Sequence, residues 1–195
     1  MELILIRHGL PQTIVREDGQ PADAPLSDLG IEQAERMAAW LADEEIERVY
    51  ASPLRRAQQT AEPLAGILGH GIELNEGVAE YDRHSPSYVP LEEVRRTNRE
   101  AYREMMRANR FGGDDPKAFQ SIVIAALEQI VEENRGGRVA VVCHGGVINS
   151  WASYVLKMEE VFFFNPTYTS INRFMAASSG ERTVITLNEH SHLRD

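Results

Sequence analysis

The residues best suited to chemistry stand in two short motifs of the same design. Arg7-His8-Gly9 follows directly on the apolar run Leu3-Ile4-Leu5-Ile6, and His144-Gly145-Gly146 follows directly on Arg138-Val139-Ala140-Val141-Val142-Cys143. Continuous apolar runs of this length read as strands buried on both faces. A cation, an imidazole and a glycine at the end of such a strand are not core residues. In open α/β sheets ligands bind beyond the carboxyl ends of strands, so Arg7 and His8 suit an anion, with Gly9 letting backbone come close to it. Two such strands imply two imidazoles in one pocket. A third stretch adds charge: in Ser52-Pro53-Leu54-Arg55-Arg56-Ala57, Ser52 is expected to cap a helix with Pro53 at its first position. Arg55 and Arg56 then fall in the first turn, where the helix dipole disfavours cations. A local rule broken there, beside the free N–H groups of a helix start, points to a phosphate or carboxylate cradle.

The elements that must position these residues follow from composition and periodicity. The chain has 195 residues, 43% hydrophobic and 26% charged, enough for one domain with a sizeable core. No apolar run approaches the roughly 20 residues of a membrane span, and the chain enters a strand at once without a signal-peptide pattern. The single cysteine, Cys143, precludes an internal disulfide and fits a cytoplasmic setting. It precedes His144, so the two side chains point to opposite faces and Cys143 is expected to be buried. A net charge of −10 argues against nucleic acid or anionic membrane as partner. A bound anion must therefore be held by a local cluster of cations. No oligomeric state is readable from the sequence.

Residues 10–26, with prolines at 11, 21 and 25, form a loop expected to rim the pocket. Ser27 caps a helix over about 28–43 with Ala34, Met37, Ala38 and Leu41 inward, and short strands are expected at 47–51 and 72–74. Residues 90–108 predict a helix with Arg95, Arg99, Arg103 and Arg107 in a stripe. That stripe is either a solvated face relieved by Glu100 and Glu104 or a basic lip over the pocket. Phe119, Ile122, Val123, Ala126, Leu127, Ile130 and Val131 mark the clearest helix. A further helix is expected at 147–157, and a closing hairpin at 171–176 and 183–187 turns at Ser179-Gly180. His190 and His192 sit in a polar tail and read as surface residues. Strands alternating with helices predict a three-layer α/β/α sandwich with a mostly parallel central sheet.

As a set and in this order, Arg7-His8-Gly9, Ser52-Pro53-Leu54-Arg55-Arg56-Ala57 and His144-Gly145-Gly146 resemble the motifs of the histidine phosphatase superfamily, which includes the phosphoglycerate mutases. The resemblance spans nearly the whole chain. It implies the three-layer α/β domain, over residues 1–195, with a substrate-covering segment at about 80–115. It implies a phosphohistidine intermediate on His8, with Arg7, Arg56, His144 and Gly145 holding the phosphoryl group and Arg55 at a variable position. It also implies an acidic proton donor downstream of the helix arginine. Glu80 fits by spacing and by its neighbours Tyr81 and Asp82; Glu76 fits the local Leu-x-Glu pattern; Glu80 is preferred. Leu10-Pro11 and Ile14 depart from the polar residue and asparagine that many members carry after Arg-His-Gly.

The implied reaction needs these residue types. A phosphate monoester repels nucleophiles, so arginines must neutralise its equatorial oxygens. The nucleophilic imidazole must be neutral, which nearby cations favour. A partly buried carboxyl can protonate the leaving oxygen and then, as carboxylate, activate water. Neither metal nor other cofactor is required, because two arginines and a histidine supply the positive charge. The partner expected is a small phosphorylated metabolite or other phosphate ester. Because long mutase-type insertions are missing, the reading favours a metal-independent phosphomonoesterase. A phosphomutase and a non-catalytic phosphate-binding module are the alternatives.

Overall fold

The computed structural model describes residues 1–90, 94, 97–100, 103 and 115–194. A six-stranded sheet is built from β1 (Glu2–Arg7), β3 (Arg48–Ala51), β4 (Ile72–Leu74), β6 (Arg138–Cys143), β7 (Ile171–Ala176) and β8 (Arg182–Glu189). Two further short strands, β2 (Ile14–Val15) and β5 (Ser87–Tyr88), pair with each other outside it. The strand order is β4-β3-β6-β1-β7-β8. The first four are mutually parallel, and β7 and β8 close the sheet as an antiparallel hairpin.

The central strands are buried on both faces, as their unbroken apolar runs require. Leu3, Leu5, Val139, Val141 and Cys143 face one core. That core is completed by α3 (Pro116–Glu133) and α4 (Gly145–Val155) through Val123, Leu127, Ile130, Val147, Ile148 and Trp151. Ile4, Ile6, Ala140 and Val142 face the other core, completed by α1 (Asp28–Trp40) and α2 (Arg55–Leu68) through Met37, Leu41, Ala57, Ala61 and Leu64. This is the expected α/β/α sandwich on a mostly parallel sheet. Ser27 caps α1, its hydroxyl accepting from the Gly30 amide at 3.1 Å, and Asp115 caps α3 with Pro116 at the first helical position.

Several expectations shift. The start of α2 is capped neither by Ser52 nor through Pro53: Leu54 is the N-cap residue, and the Asp23 carboxylate accepts from the Arg55 amide instead at 2.9 Å. Ile122 lies on the outer face of α3, and Gln120 turns inward, donating to the Ser150 carbonyl and the Ser153 hydroxyl. His192 is buried, not a surface residue, because β8 returns the tail onto α1. Its Nε2 lies 3.0 Å from Thr169 Oγ1, Arg36 donates to its carbonyl, and burial lowers its pKa to about 4. His190 is half-buried, with Nδ1 2.6 Å from the Asn188 carbonyl. Most of the predicted 90–108 helix, including Arg95 and Arg107, lies outside the described residues; Arg99 and Arg103 are exposed.

Candidate active site

Topology brings the three motifs to one edge. β3, β6 and β1 are neighbours and parallel, so their carboxyl ends lie side by side. In register, Arg7 is opposite Cys143, and the His8 amide donates to the Cys143 carbonyl at 3.0 Å. His8 therefore stands beside His144, with ring centroids 5.1 Å apart. On the far side of β6, the Ser52 amide donates to the Val142 carbonyl, placing the Ser52 hydroxyl 2.7 Å from His144 Nε2.

His8 is 1% exposed. Its Nδ1 lies 2.7 Å from the Gly9 carbonyl. A carbonyl only accepts, so Nδ1 holds the proton, and in the neutral ring Nε2 keeps its lone pair. Burial, then the charges of Arg56 and Arg7, push the His8 pKa well below that of an ordinary histidine. The same three influences, with His8 itself, lower His144. Its Nδ1 is buried without a hydrogen bond among the described residues. Both rings are thus neutral at physiological pH.

Arg7 is buried, donates to the Pro166 carbonyl and stacks on Tyr168, 3.8 Å from guanidinium carbon to ring centroid. Arg56, 1% exposed, stacks on Tyr88 at 4.5 Å, and its Nη2 lies 3.8 Å from Asp82 Oδ1. Its Nε and Nη2 make no hydrogen bond among the described residues. A buried guanidinium with unused donors is a group that an oxyanion satisfies. Arg55, its neighbour, points to solvent.

Glu80 sits across the cleft. Its Oε2 accepts from the Gly146 amide at 3.2 Å and Oε1 from the Tyr81 amide at 3.0 Å. Burial, followed by the Asp82 carboxylate, raises its pKa above that of an ordinary glutamic acid. Glu76, by contrast, is strongly exposed and pairs at 3.9 Å with Arg83. Gly146 is needed here, since a Cβ on it would stand 2.3 Å from Glu80 Oε1. Gly9 is needed for the packing of α1, since a Cβ there would strike the Gly30 carbonyl oxygen at 2.5 Å.

The cleft holds about 400 Å³ and is lined by Arg7, His8, Glu80, Asp82, Gly145 and Gly146, together with an aromatic wall. Arg56 and His144 stand behind this lining, Arg56 under the Tyr88 ring. The expected rim, residues 10–26, contributes no lining residue; its Ile14 instead pairs with Tyr88 and buttresses it. Residues 80–89 supply one side of the cleft and residues 162–166 the other.

The sequence reading missed the supports. Thr60 accepts from the Gly9 amide at 2.9 Å and donates to the Arg56 carbonyl at 2.6 Å, tying His8 to Arg56. Asn149 donates to the Gly145 and Phe164 carbonyls and accepts from the Phe163 and Phe164 amides, fixing the aromatic turn to α4. A threonine four residues after Arg56 and an asparagine inside an apolar helix were the available signals. Cys143 is buried among apolar side chains, which pushes its thiol pKa up.

The sequence profile of the histidine phosphatase superfamily, branch 1, matches residues 3–190. The chain belongs to that superfamily. Curated relatives carry mutase names. A phosphoglycerate mutase-like protein 4 from Arabidopsis thaliana is 30% identical over 208 residues, covering 100% of this chain and 87% of the relative. A probable phosphoglycerate mutase from Yersinia pestis is 31% identical over 170 residues, covering 80% and 75%. Solved structures share the fold. One is a mutant phosphoserine phosphatase from Entamoeba histolytica in complex with phosphoserine, with TM-score 0.77, 24% identity and 99% of both chains covered. Another is a mycobacterial glucosyl-3-phosphoglycerate phosphatase in complex with VO3, with TM-score 0.76, 20% identity and coverage of 96% and 99%. Among the described residues no helix is long and apolar enough to cross a membrane.

Proposed function

We propose that this protein is a metal-independent phosphomonoesterase that works through a phosphohistidine on His8. The observation that carries the reading is the state of His8: buried, neutral, with Nδ1 tied to the Gly9 carbonyl and two buried guanidiniums adjacent. That arrangement serves a nucleophile and disfavours a merely structural histidine, which would use both nitrogens.

In the first half-reaction Nε2 of His8 attacks phosphorus in line. Arg7, Arg56, His144 and the Gly145 amide at the start of α4 take the equatorial oxygens, and their donors strengthen as charge moves onto those oxygens. The P–O bond to the alcohol breaks, and the leaving oxygen takes a proton from Glu80, whose pKa burial and the neighbouring Asp82 carboxylate raise. In the second half-reaction the Glu80 carboxylate removes a proton from water as the water attacks phosphorus. The P–N bond breaks and His8 returns to its neutral form. The two guanidiniums supply the positive charge that a metal provides elsewhere, and the neutral His144 imidazole adds a hydrogen bond. The substrate is a small phosphorylated metabolite or comparable phosphate ester.

The names of the relatives favour a second reading, a phosphomutase that returns the phosphoryl group to substrate. Release of inorganic phosphate from an alkyl phosphate in the presence of a chelator supports the phosphatase. Transfer between positions with a bisphosphate primer and no phosphate release replaces it with the mutase. A non-catalytic phosphate-binding module would do neither while still binding phosphate.

A further inference from the structure

The lining of the cleft is uneven in a way that speaks to the alcohol part of the substrate. Tyr81, Phe162, Phe164, Val89, Val94 and Pro166 supply the apolar part of the lining. Tyr81 and Phe162 meet edge to face at 5.8 Å, and Phe119 backs both at 5.2 Å and 6.4 Å. Asn149 holds residues 163–164 through three hydrogen bonds, which fixes this turn of the wall. Among the described residues the only cation lining the cleft is Arg7, while Glu80 and Asp82 add two carboxyl groups. Arg99 and Arg103 of the supposed basic lip are exposed and do not line it.

Arg7, with Arg56 behind the lining, is matched to the phosphoryl group itself. A second anionic group on the substrate would lie against aromatic faces, whose quadrupole is negative, and near two carboxyl groups in a site of low dielectric. Resting on the phosphomonoesterase reading above, we propose that the cleft selects monoesters whose alcohol part is uncharged and carries an aromatic or equally broad apolar ring. The ring lies on Tyr81, Phe162 and Phe164.

The test compares three alkyl esters, so that leaving-group acidity stays nearly constant: 2-phenylethyl phosphate, glycerol 3-phosphate and 3-phosphoglycerate. Burial of a phenyl-sized group corresponds to roughly a 10- to 100-fold preference. The expected kcat/KM for the phenylethyl ester exceeds that for glycerol 3-phosphate by about that factor and that for 3-phosphoglycerate by more. Phe162→Ala, or Phe162→Leu should the alanine variant not fold, lowers the phenylethyl-to-glycerol ratio. Calorimetric binding of the same esters to His8→Ala, with His8→Asn as an isosteric substitute, reads the preference without turnover. Hydrolysis of all three esters with 3-phosphoglycerate preferred overturns the proposal and leaves the phosphatase reading standing. No hydrolysis of any, with the phenylethyl ester still bound most tightly, overturns the phosphatase reading and upholds the binding preference. A ratio unchanged in both Phe162 variants overturns the assignment of the wall.

Discussion

Replacing Glu80 by glutamine separates the two half-reactions. The substitution is isosteric, so its structural cost can be worked from the hydrogen bonds. Glu80 offers one acceptor oxygen to the Gly146 amide and the other to the Tyr81 amide. Glutamine has one acceptor, so one of these amides faces an N–H group instead. A lost hydrogen bond of this kind costs about 1–3 kcal/mol. In a chain of this size that lowers Tm by about 2–4 °C per kcal/mol, and the protein remains folded. The chemical cost is larger. An alkyl phosphate leaves as a basic alkoxide and needs the proton, so its phosphorylation step should slow by roughly 10²–10⁴-fold. A nitrophenyl phosphate leaves as a stable anion, so phosphorylation of His8 survives and only hydrolysis of the phosphohistidine lacks its base. Rapid-mixing kinetics should therefore show a burst of nitrophenolate followed by a stall. Glu76→Gln, at an exposed position paired with Arg83, should behave as wild type. A Glu80→Gln enzyme that hydrolyses the alkyl ester normally, with Glu76→Gln giving the burst, would refute the reasoning and move the acid to Glu76.

Two further outcomes follow from the site. Arg56→Ala should lower kcat/KM by about 10²–10³-fold, the loss typical of removing one preorganised donor to a developing oxyanion, whereas the exposed Arg55 should tolerate alanine; equal losses in steady-state assays would mean the wrong arginine is assigned. In pH–rate profiles of an alkyl ester, His8 must be neutral and its pKa is lowered, so the acidic limb should fall below pH 6.5. Glu80 must be protonated and its pKa is raised, so the alkaline limb should fall above pH 4.5. Asp82→Asn removes a charge that raises Glu80, so the alkaline limb should move to lower pH; a limb that stays put would separate Asp82 from the acid.

The sheet and the layers were legible because β1 and β6 are short apolar runs without alternation, and such runs have one stable place, between two helical layers. The cluster of His8, His144 and Arg56 was legible because each follows a strand end, and parallel neighbours bring their ends together. What could not be read depends on contacts between segments distant in sequence. Serine before proline usually caps a helix, so the sequence points Ser52 to that role; the nearness of β3 to β6 gives its hydroxyl to His144. The sequence does not show that α1 passes against Gly9. The polar tail suggests a surface position for His192, and the path of β8 explains its burial. The aromatic wall at 162–164 appeared as a plain apolar turn, since Asn149 orients it from another element.

The most direct test of the account is to find where the phosphoryl group goes. The Glu80→Gln protein is mixed with labelled nitrophenyl phosphate and quenched under alkaline conditions, and its peptides are read by mass spectrometry. The account predicts one acid-labile phosphate on the peptide carrying His8, formed at the rate of the burst and absent from His8→Ala. A label on any other residue, or nitrophenolate released in turnover with no label on the protein, would contradict it.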